Sequence, residues 1–188
     1  MQPAVTDALT RALFEEWART GYGALSLEAV ARRAGVGKAA LYRRWPSKLA
    51  MVSDRLEQVG VDLAESPNTG SLLGDVQALL RSVRRLLRHP LVRRIVPDLH
   101  AEMMRSPELA KVVHSRVQIA RRDRSSTVFR RAIERGEIPA DIDLDLANDA
   151  TASLIYWRLI VIGERVDERH LNQTARFIVA GLRSLDDQ

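Results

Sequence analysis

The sequence predicts an all-α protein. Apolar residues recur at helical spacing over almost all of the 188 residues, and no segment shows the sustained period-two alternation of a strand next to hairpin turns. Hydrophobic residues make up 46% of the chain, which is enough to bury a core for one or two small domains. We expect about nine helices.

The first two helices are delimited by caps and glycines. The first ends near Gly21, because glycine readily adopts the left-handed conformation that closes a helix. The second begins after Ser26, a favourable N-cap, and ends at Gly35. The apolar stripe of the first helix is Leu9, Leu13, Phe14 and Trp17, and that of the second is Leu27, Val30, Ala31 and Ala34.

A short turn and a short third helix follow. Pro46 limits this helix to about residues 38–44, because a proline pushes the preceding residue out of the helical region. Ser47 then caps a fourth helix that begins with Lys48. Short helices joined by a three-residue turn are typical of a helix-turn-helix. We therefore predict a helix-turn-helix domain over residues 1–48 and a second domain over 49–188, with the helix from residue 47 linking the two.

The rest of the chain predicts five further helices. The clearest loop covers residues 65–70, and Pro90, Gly136 and Gly163 mark other breaks. The predicted helices are 72–88, 91–104, 107–135, 144–162 and 168–185.

Composition favours a polyanionic partner. The net charge is +5, although surplus surface arginines would give the same sum, and residues 29–53 contain no acid. The absence of cysteine excludes disulfides, thiolate metal sites and a cysteine nucleophile, as expected in a reducing cytosol. We expect neither a signal peptide nor a membrane span.

The third predicted helix has residues suited to a DNA-recognition helix. Gly37, Ala39 and Ala40 are small enough for close approach to the major groove. Lys38 can reach a base edge or a phosphate, and Arg43 can do the same from about a turn and a half further on. Leu41 is expected in the core, where it fixes the angle between the helices.

The flanks of this helix are suited to phosphates. Tyr42 carries a hydroxyl for a phosphate oxygen, and Lys48 opens a helix whose N-terminus attracts anions. Trp45 is expected to pack between the helices, with a phosphate contact through its indole N–H as the alternative. Arg44 is expected among the DNA-binding residues, although its particular contact is not defined. The alternative for the whole segment is a solvated basic face.

Residues 21–52 closely resemble the N-terminal DNA-binding domain of the TetR (tetracycline repressor-like) family of bacterial regulators. The specific marks are Ala31, the pair Gly35 and Val36, Leu41 with Tyr42, and Ser47 with Lys48. Many members carry Thr where Ser26 and Leu27 stand here, a difference that leaves the cap intact.

The resemblance implies a helix-turn-helix domain linked to a larger C-terminal helical domain for ligand binding and dimerisation. It implies that Tyr42 and Lys48 contact phosphates and that the helix starting near Lys38 reads bases. It implies nothing about the effector, since the rest of the chain varies widely among such proteins.

The last two predicted helices carry stripes suited either to a dimer or to this domain's own core. The residues alone favour the core slightly, and the resemblance favours a four-helix interface between two subunits. The predicted dimer residues are Ala147, Ala150, Leu154, Arg158, Val161, Leu171, Ala175, Ile178 and Leu182.

Candidates for a ligand pocket face inward from the middle and penultimate helices, although each is more often a core residue than a pocket residue. The four histidines show no metal-ligand spacing. Asp98 with Glu102 is expected to be a solvated acidic patch, with a cation clamp near His100 as the alternative. We expect no metal and no cofactor. The pocket candidates are His100, Met103, Met104, Val113, Tyr156 and Trp157.

The sequence therefore predicts a cytoplasmic, nucleoid-associated homodimeric repressor that binds palindromic double-stranded DNA and is released by a small-molecule effector. The alternative is a ligand-independent DNA-binding dimer whose C-terminal domain serves dimerisation only. No phosphate loop, Ser/His/Asp arrangement or metal triad indicates an enzyme.

Overall fold

The computed structural model describes residues 3–62 and 66–186, and these residues are helical without a strand. This confirms the all-α prediction. Residue 65, where the predicted loop begins, lies outside the described residues. The ten α-helices of the described ranges are α1 Pro3–Ala24, α2 Leu27–Arg33, α3 Lys38–Arg44, α4 Lys48–Asp62, α5 Leu72–Arg88, α6 Pro90–Arg105, α7 Pro107–Val112, α8 Ile119–Glu134, α9 Leu144–Tyr156 and α10 Glu168–Arg183.

Two π-helical segments distinguish the structure from the predicted helices. Val113–Gln118 separates α7 from α8, so the predicted helix over 107–135 is two α-helices with a wider turn between them. Trp157–Ile162 continues α9 in the same way and ends at Gly163, which has a φ of 79°. Hydrophobic spacing does not distinguish these wider turns from a continuous α-helix.

The described chain forms two compact units. The first contains residues 1–61 and 90–118, and the second contains residues 62–89 and 119–188. Helices α6 and α7 therefore pack with the N-terminal helices, although they fall on the far side of the predicted boundary at residue 48. The predicted boundary between a DNA-binding domain and an effector-binding and dimerisation domain stays a prediction.

The first unit has one hydrophobic core to which α1 contributes most. Leu9, Leu13 and Trp17 are buried on its inner face, as their spacing predicts. Leu41 of α3 is fully buried in the same core. The second and sixth helices complete it with Leu27, Val30, Ala31, Ile95 and Leu99.

The second unit packs α5 against α9 and α10. Asp75 of α5 is fully buried there, where its carboxylate accepts hydrogen bonds from the backbone N–H (2.6 Å) and the hydroxyl (2.8 Å) of Thr69. A buried carboxylate needs such hydrogen-bond partners, since burial without them is costly. The bonds to Thr69 therefore stabilise the start of α5. The apolar core includes Leu72, Val76, Leu80, Phe129, Ile155, Leu171 and Ile178.

We expect replacement of Leu41 by alanine to lower the free energy of unfolding by about 2–5 kcal/mol, because it leaves a cavity in a closed core. Chemical denaturation monitored by circular dichroism measures this change. Met104→Ala is the matched control, since Met104 is 89% exposed and its loss should cost less than about 0.5 kcal/mol. Equal small effects in both variants would contradict the burial of Leu41.

Candidate nucleic-acid interface

The turn between α2 and α3 is set by local backbone chemistry. Ser26 caps α2, its hydroxyl accepting a hydrogen bond from the backbone N–H of Ala29 (3.4 Å). Gly35 adopts a φ of 65°, a left-handed conformation that favours glycine, and lets the N–H of Val36 reach the carbonyl of Ala31 (2.9 Å). The turn therefore ends α2 and redirects the chain into α3, as the sequence predicts.

Helix α3 exposes one side and buries a single residue. Lys38, Ala39 and Arg43 are exposed, and Tyr42 is half-buried. Leu41 points the other way into the core, which confirms its predicted position. We call Lys38, Ala39, Tyr42 and Arg43 the reading face. Gly37, also exposed, precedes it as the N-cap residue of α3.

Trp45 ends α3 and packs inside the first unit. Its backbone is extended (φ −127°, ψ 102°), as the following proline predicts. The side chain is buried, and its indole N–H donates to Asp54 Oδ2 (2.7 Å). The interpretation of Trp45 as a packing residue is confirmed, because its polar atom has a partner within the protein.

Arg44 contacts α1 rather than projecting with the reading face. Its guanidinium donates to Thr6 Oγ1 (2.7 Å) and lies over the Trp45 ring, 4.6 Å from the ring centre. Arg44 therefore joins the end of α3 to the start of α1. Sequence reasoning gave it no defined role, because both partners become neighbours only in the fold.

Glu28 of α2 lies against the reading face. Its Oε1 accepts a hydrogen bond from the Tyr42 hydroxyl (2.8 Å) and pairs with Lys38 Nζ (2.9 Å). Its Oε2 accepts from the hydroxyl of Ser26 (3.0 Å). The hydrogen bonds from Lys38 and then Tyr42 lower the pKa of Glu28 to about 2. The same contacts with Glu28 raise the pKa of Lys38 and of Tyr42.

Lys48, at the start of α4, is bound to the end of α1. Its Nζ donates to the carbonyl of Tyr22 (2.6 Å) and of Gly23 (3.1 Å), and lies 4.4 Å from the centre of the Tyr22 ring. Ser47 caps α4 by accepting from the N–H of Ala50 (3.1 Å). Lys48 thus has a structural role that sequence reasoning missed, and its phosphate contact stays a prediction.

Asp98 of α6 is bound to the same end of α1. Its Oδ2 accepts from the Trp17 indole N–H (2.6 Å) and from the backbone N–H of Tyr22 (2.8 Å). Gly21 has a φ of 77° here, and a Cβ at this position would lie 3.1 Å from Asp98 Oδ1. The expectation that Asp98 is part of a solvated acidic patch is wrong, because its carboxylate accepts hydrogen bonds from α1. Tyr22 therefore contacts both Asp98 and Lys48.

The predicted dimer residues divide into buried and exposed groups in the second unit. The predicted dimer residues of α10 are buried in the core of the second unit, and so is Ala147 of α9. These residues therefore agree with the alternative that the stripes face the core of their own domain. Leu154 and Val161 are exposed, while Ala150 and Arg158 are partly exposed. The buried members of α10 are Leu171, Ala175, Ile178 and Leu182.

Exposed apolar residues of α9, of the π-helical segment Trp157–Ile162 and of α10 line a groove on the second unit. Phe177 is 72% exposed and Trp157 is 58% exposed, and both line a groove with Leu154 and Ile162. We call these four residues the apolar face. Sequence reasoning missed Phe177 because an amphipathic stripe identifies the buried side of a helix, whereas Phe177 lies on the other side.

The predicted ligand residues are not gathered in one unit. His100, Met103, Met104 and Val113 belong to the first unit, whereas Tyr156 and Trp157 belong to the second. Val113 packs in the core of its unit. The expectation that all six face inward is wrong for Met104 and Trp157, which are mostly exposed, and for His100, which is exposed as well. A pocket built from these residues stays a prediction.

The described residues meet the requirements of neither a metal cluster nor a membrane-spanning helix. They contain no group of three or more His, Cys, Asp or Glu side chains placed to hold a metal ion. None of the described helices combines the length and apolar character needed to cross a membrane.

Two family models match the chain. The family described as "Bacterial regulatory proteins, tetR family" matches residues 9–54, and "Tetracyclin repressor-like, C-terminal domain" matches residues 66–178. The second match alone spans more than half of the chain. The chain belongs to the TetR family. It is therefore a transcriptional regulator with a DNA-binding helix-turn-helix, and the predicted resemblance is confirmed.

Individual proteins also resemble the chain over most of their length. The uncharacterized HTH-type transcriptional regulator Mb1581 of Mycobacterium bovis is 31% identical over 155 residues, which cover 82% of this chain and 74% of that protein. The crystal structure of the TetR family transcription regulator SCO0332 aligns with a TM-score of 0.74 and 28% identity, over 94% of this chain and 97% of that one. The flavonoid-responsive regulator FrrA aligns with a TM-score of 0.73 and 23% identity, over 96% of each chain.

We expect the carboxyl of Glu28 to titrate near pH 2, far below its usual value of 4.5, because Lys38 and Tyr42 stabilise the ionised form. A lowered pKa in the folded state means that this stabilisation is complete above pH 4.5 and is lost as the pH falls towards 2. NMR titration of the side-chain carboxyl carbon measures the midpoint. In Lys38→Met the midpoint should move up towards 4.5, and a wild-type midpoint near 4.5 would contradict the described contacts.

Proposed function

We propose that this TetR-family protein is a homodimeric cytoplasmic repressor that binds a palindromic operator through the reading face and is released by a small-molecule effector. The observation that carries the proposal is the orientation of α3. Its single inward residue, Leu41, is fully buried, so Lys38, Ala39 and Arg43 face solvent together. A helix presented in this way can enter a major groove.

The charges around the reading face support DNA as the partner. Helix α3 contains Lys38, Arg43 and Arg44 and no acid, and Lys48 follows directly at the start of α4. Arg43 can contact a phosphate or form two hydrogen bonds with a guanine edge, and the Tyr42 hydroxyl can donate to a phosphate oxygen. The small side chain of Ala39 allows the helix backbone to approach the bases.

We expect Arg43→Ala to weaken binding to a random-sequence duplex and to reduce the slope of log affinity against log salt by about one, because one cation no longer displaces counterions. Tyr42→Phe should weaken binding about 3- to 10-fold with little change of slope, because it removes a neutral hydrogen bond. Fluorescence anisotropy over a salt series measures both quantities.

Arg130→Ala is the charge-matched control for these variants. Arg130 is an exposed residue of α8 in the second unit, so its loss should change neither affinity nor slope by more than about 0.3 log units. If Arg43→Ala behaved like Arg130→Ala, the proposed role of the reading face would be wrong.

The apolar face supports a second copy of this chain as a partner. Leu154, Trp157, Ile162 and Phe177 line one groove on the second unit, and exposed apolar patches of this kind are typical of association surfaces. A two-fold axis would bring the same face of each subunit together, as in most homodimers. Two copies also supply two reading faces for the two halves of a palindrome.

We expect Phe177→Glu to shift the protein from a dimer to a 21.1 kDa monomer, because it places a charge in the contact. Sedimentation equilibrium measures the mass, and circular dichroism checks that the variant is folded. Met104→Glu, on an exposed apolar residue of the first unit, is the control and should remain dimeric. A monomeric wild type, or a dimeric Phe177→Glu variant, would contradict the assignment of this face.

Helix α6 supports the effector part of the proposal. It lies in the same unit as the reading face, and its Asp98 holds the end of α1 through Trp17 and Tyr22. A movement of α6 on ligand binding would disturb these bonds and, through Tyr22, the contact with Lys48. The name of the related regulator FrrA describes it as flavonoid-responsive, which is a precedent for a small-molecule effector in this fold.

One observation favours the second candidate, a ligand-independent DNA-binding dimer. Val113 belongs to a packed core, and Met104 and Trp157 are mostly exposed, so these three predicted ligand residues do not line an enclosed site. The two candidates share the reading face and the apolar face. They differ only in whether a ligand shifts α6.

A further inference from the structure

Glu28 is the one acidic residue between residues 17 and 53 of the sequence. It is an exposed residue in the first turn of α2, beside a face that is otherwise neutral or basic. An acid at this position faces repulsion from DNA phosphates. Its contacts with the reading face therefore need a functional explanation.

The contacts of Glu28 use the atoms that DNA would need. The Tyr42 hydroxyl has one proton to donate, and it donates this proton to Glu28 Oε1. The same oxygen lies 2.9 Å from Lys38 Nζ, so it neutralises the lysine at the front of α3. A phosphate oxygen has the same charge and hydrogen-bonding character as this carboxylate oxygen. Tyr42 cannot donate to both at once.

We propose that Glu28 is an internal competitor of DNA, which occupies Lys38 and Tyr42 in the free protein and is displaced when they contact a phosphate or a base. This inference rests on the proposed role of the reading face. Glu28 thereby lowers the affinity for DNA of any sequence and reduces the dependence of binding on salt, because part of the positive charge of the face is already neutralised.

The exposure of the pair makes the displacement feasible. The side chain of Lys38 is 64% exposed and that of Glu28 is 45% exposed. Ion pairs in water contribute little to stability, so they open readily when a stronger electrostatic partner arrives. The carboxylate remains ionised throughout the physiological pH range, because its pKa is about 2. Glu28 therefore competes with DNA for Lys38 and Tyr42 at every physiological pH.

The test compares Glu28→Gln with wild type for binding to a 20-base-pair random-sequence duplex, by fluorescence anisotropy over a series of salt concentrations. We expect affinity to rise about 3- to 10-fold at 0.1 M salt and the slope of log affinity against log salt to steepen by about one. Glu28→Ala, which removes the acceptor as well as the charge, should raise affinity at least as much.

A charge-matched control separates the local effect from the change in net charge. Glu134→Gln alters the same formal charge at an exposed residue of the second unit, and it should change affinity less than about twofold. In a protein that already carries Lys38→Met and Tyr42→Phe, Glu28→Gln should raise the affinity for DNA by at most half as much as it does in wild type. The reason is that the two groups that Glu28 occupies are then absent. Thermal unfolding of each variant checks that the fold is retained.

The outcomes distinguish this inference from the proposed function. If wild type binds DNA and Glu28→Gln binds equally, Glu28 is not a competitor. Weaker binding of Glu28→Gln would also overturn the inference and would indicate that Glu28 positions Lys38 and Tyr42. A gain that persists unchanged in the Lys38→Met, Tyr42→Phe background would also overturn the inference. If neither wild type nor any variant binds DNA, the proposed function fails first.

Discussion

The burial of Leu41 is the constraint on which the rest of the reading face depends. Helix α3 has seven residues, too few to be stable in isolation, so its orientation is determined by what it packs against. Leu41 enters the core of the first unit, and Trp45 closes the end of the helix against Asp54. Arg44 adds a bond to α1. With these contacts made, only one side of α3 is left for DNA.

The end of α1 connects the start of α4 to α6. Asp98 holds Trp17 and Tyr22, and the carbonyl of Tyr22 holds Lys48 at the start of α4. The positive φ of Gly21 brings the chain close enough for these bonds. Hydrogen bonds to charged groups are stronger than neutral ones, so the junction joins three helices through a few directional contacts. Under the proposed function, this junction would transmit a movement of α6 to the start of α4.

Local signals in the sequence predict the helix-turn-helix because caps, glycines and a proline act within a few residues. Leu41 was predicted in the core for the same reason, since its spacing relates it to α2. The contacts of Glu28 with α3 were missed, because they depend on the angle between two helices. The apolar stripe on α10 shows which side of the helix is buried, but it gives no information about an apolar residue on the opposite side. Phe177 could therefore not be identified from the sequence. Asp98 is separated from Trp17 by 81 positions, and no sequence pattern relates them.

The most direct measurement is selection of wild-type protein against a library of random DNA duplexes, followed by sequencing. A dimer with two reading faces predicts an enriched inverted repeat whose half-sites lie about 10–10.5 base pairs apart, or a multiple of this spacing, centre to centre. Failure to enrich any sequence would contradict the claim that α3 reads bases. Enrichment of a single site without two-fold symmetry would contradict recognition by a homodimer.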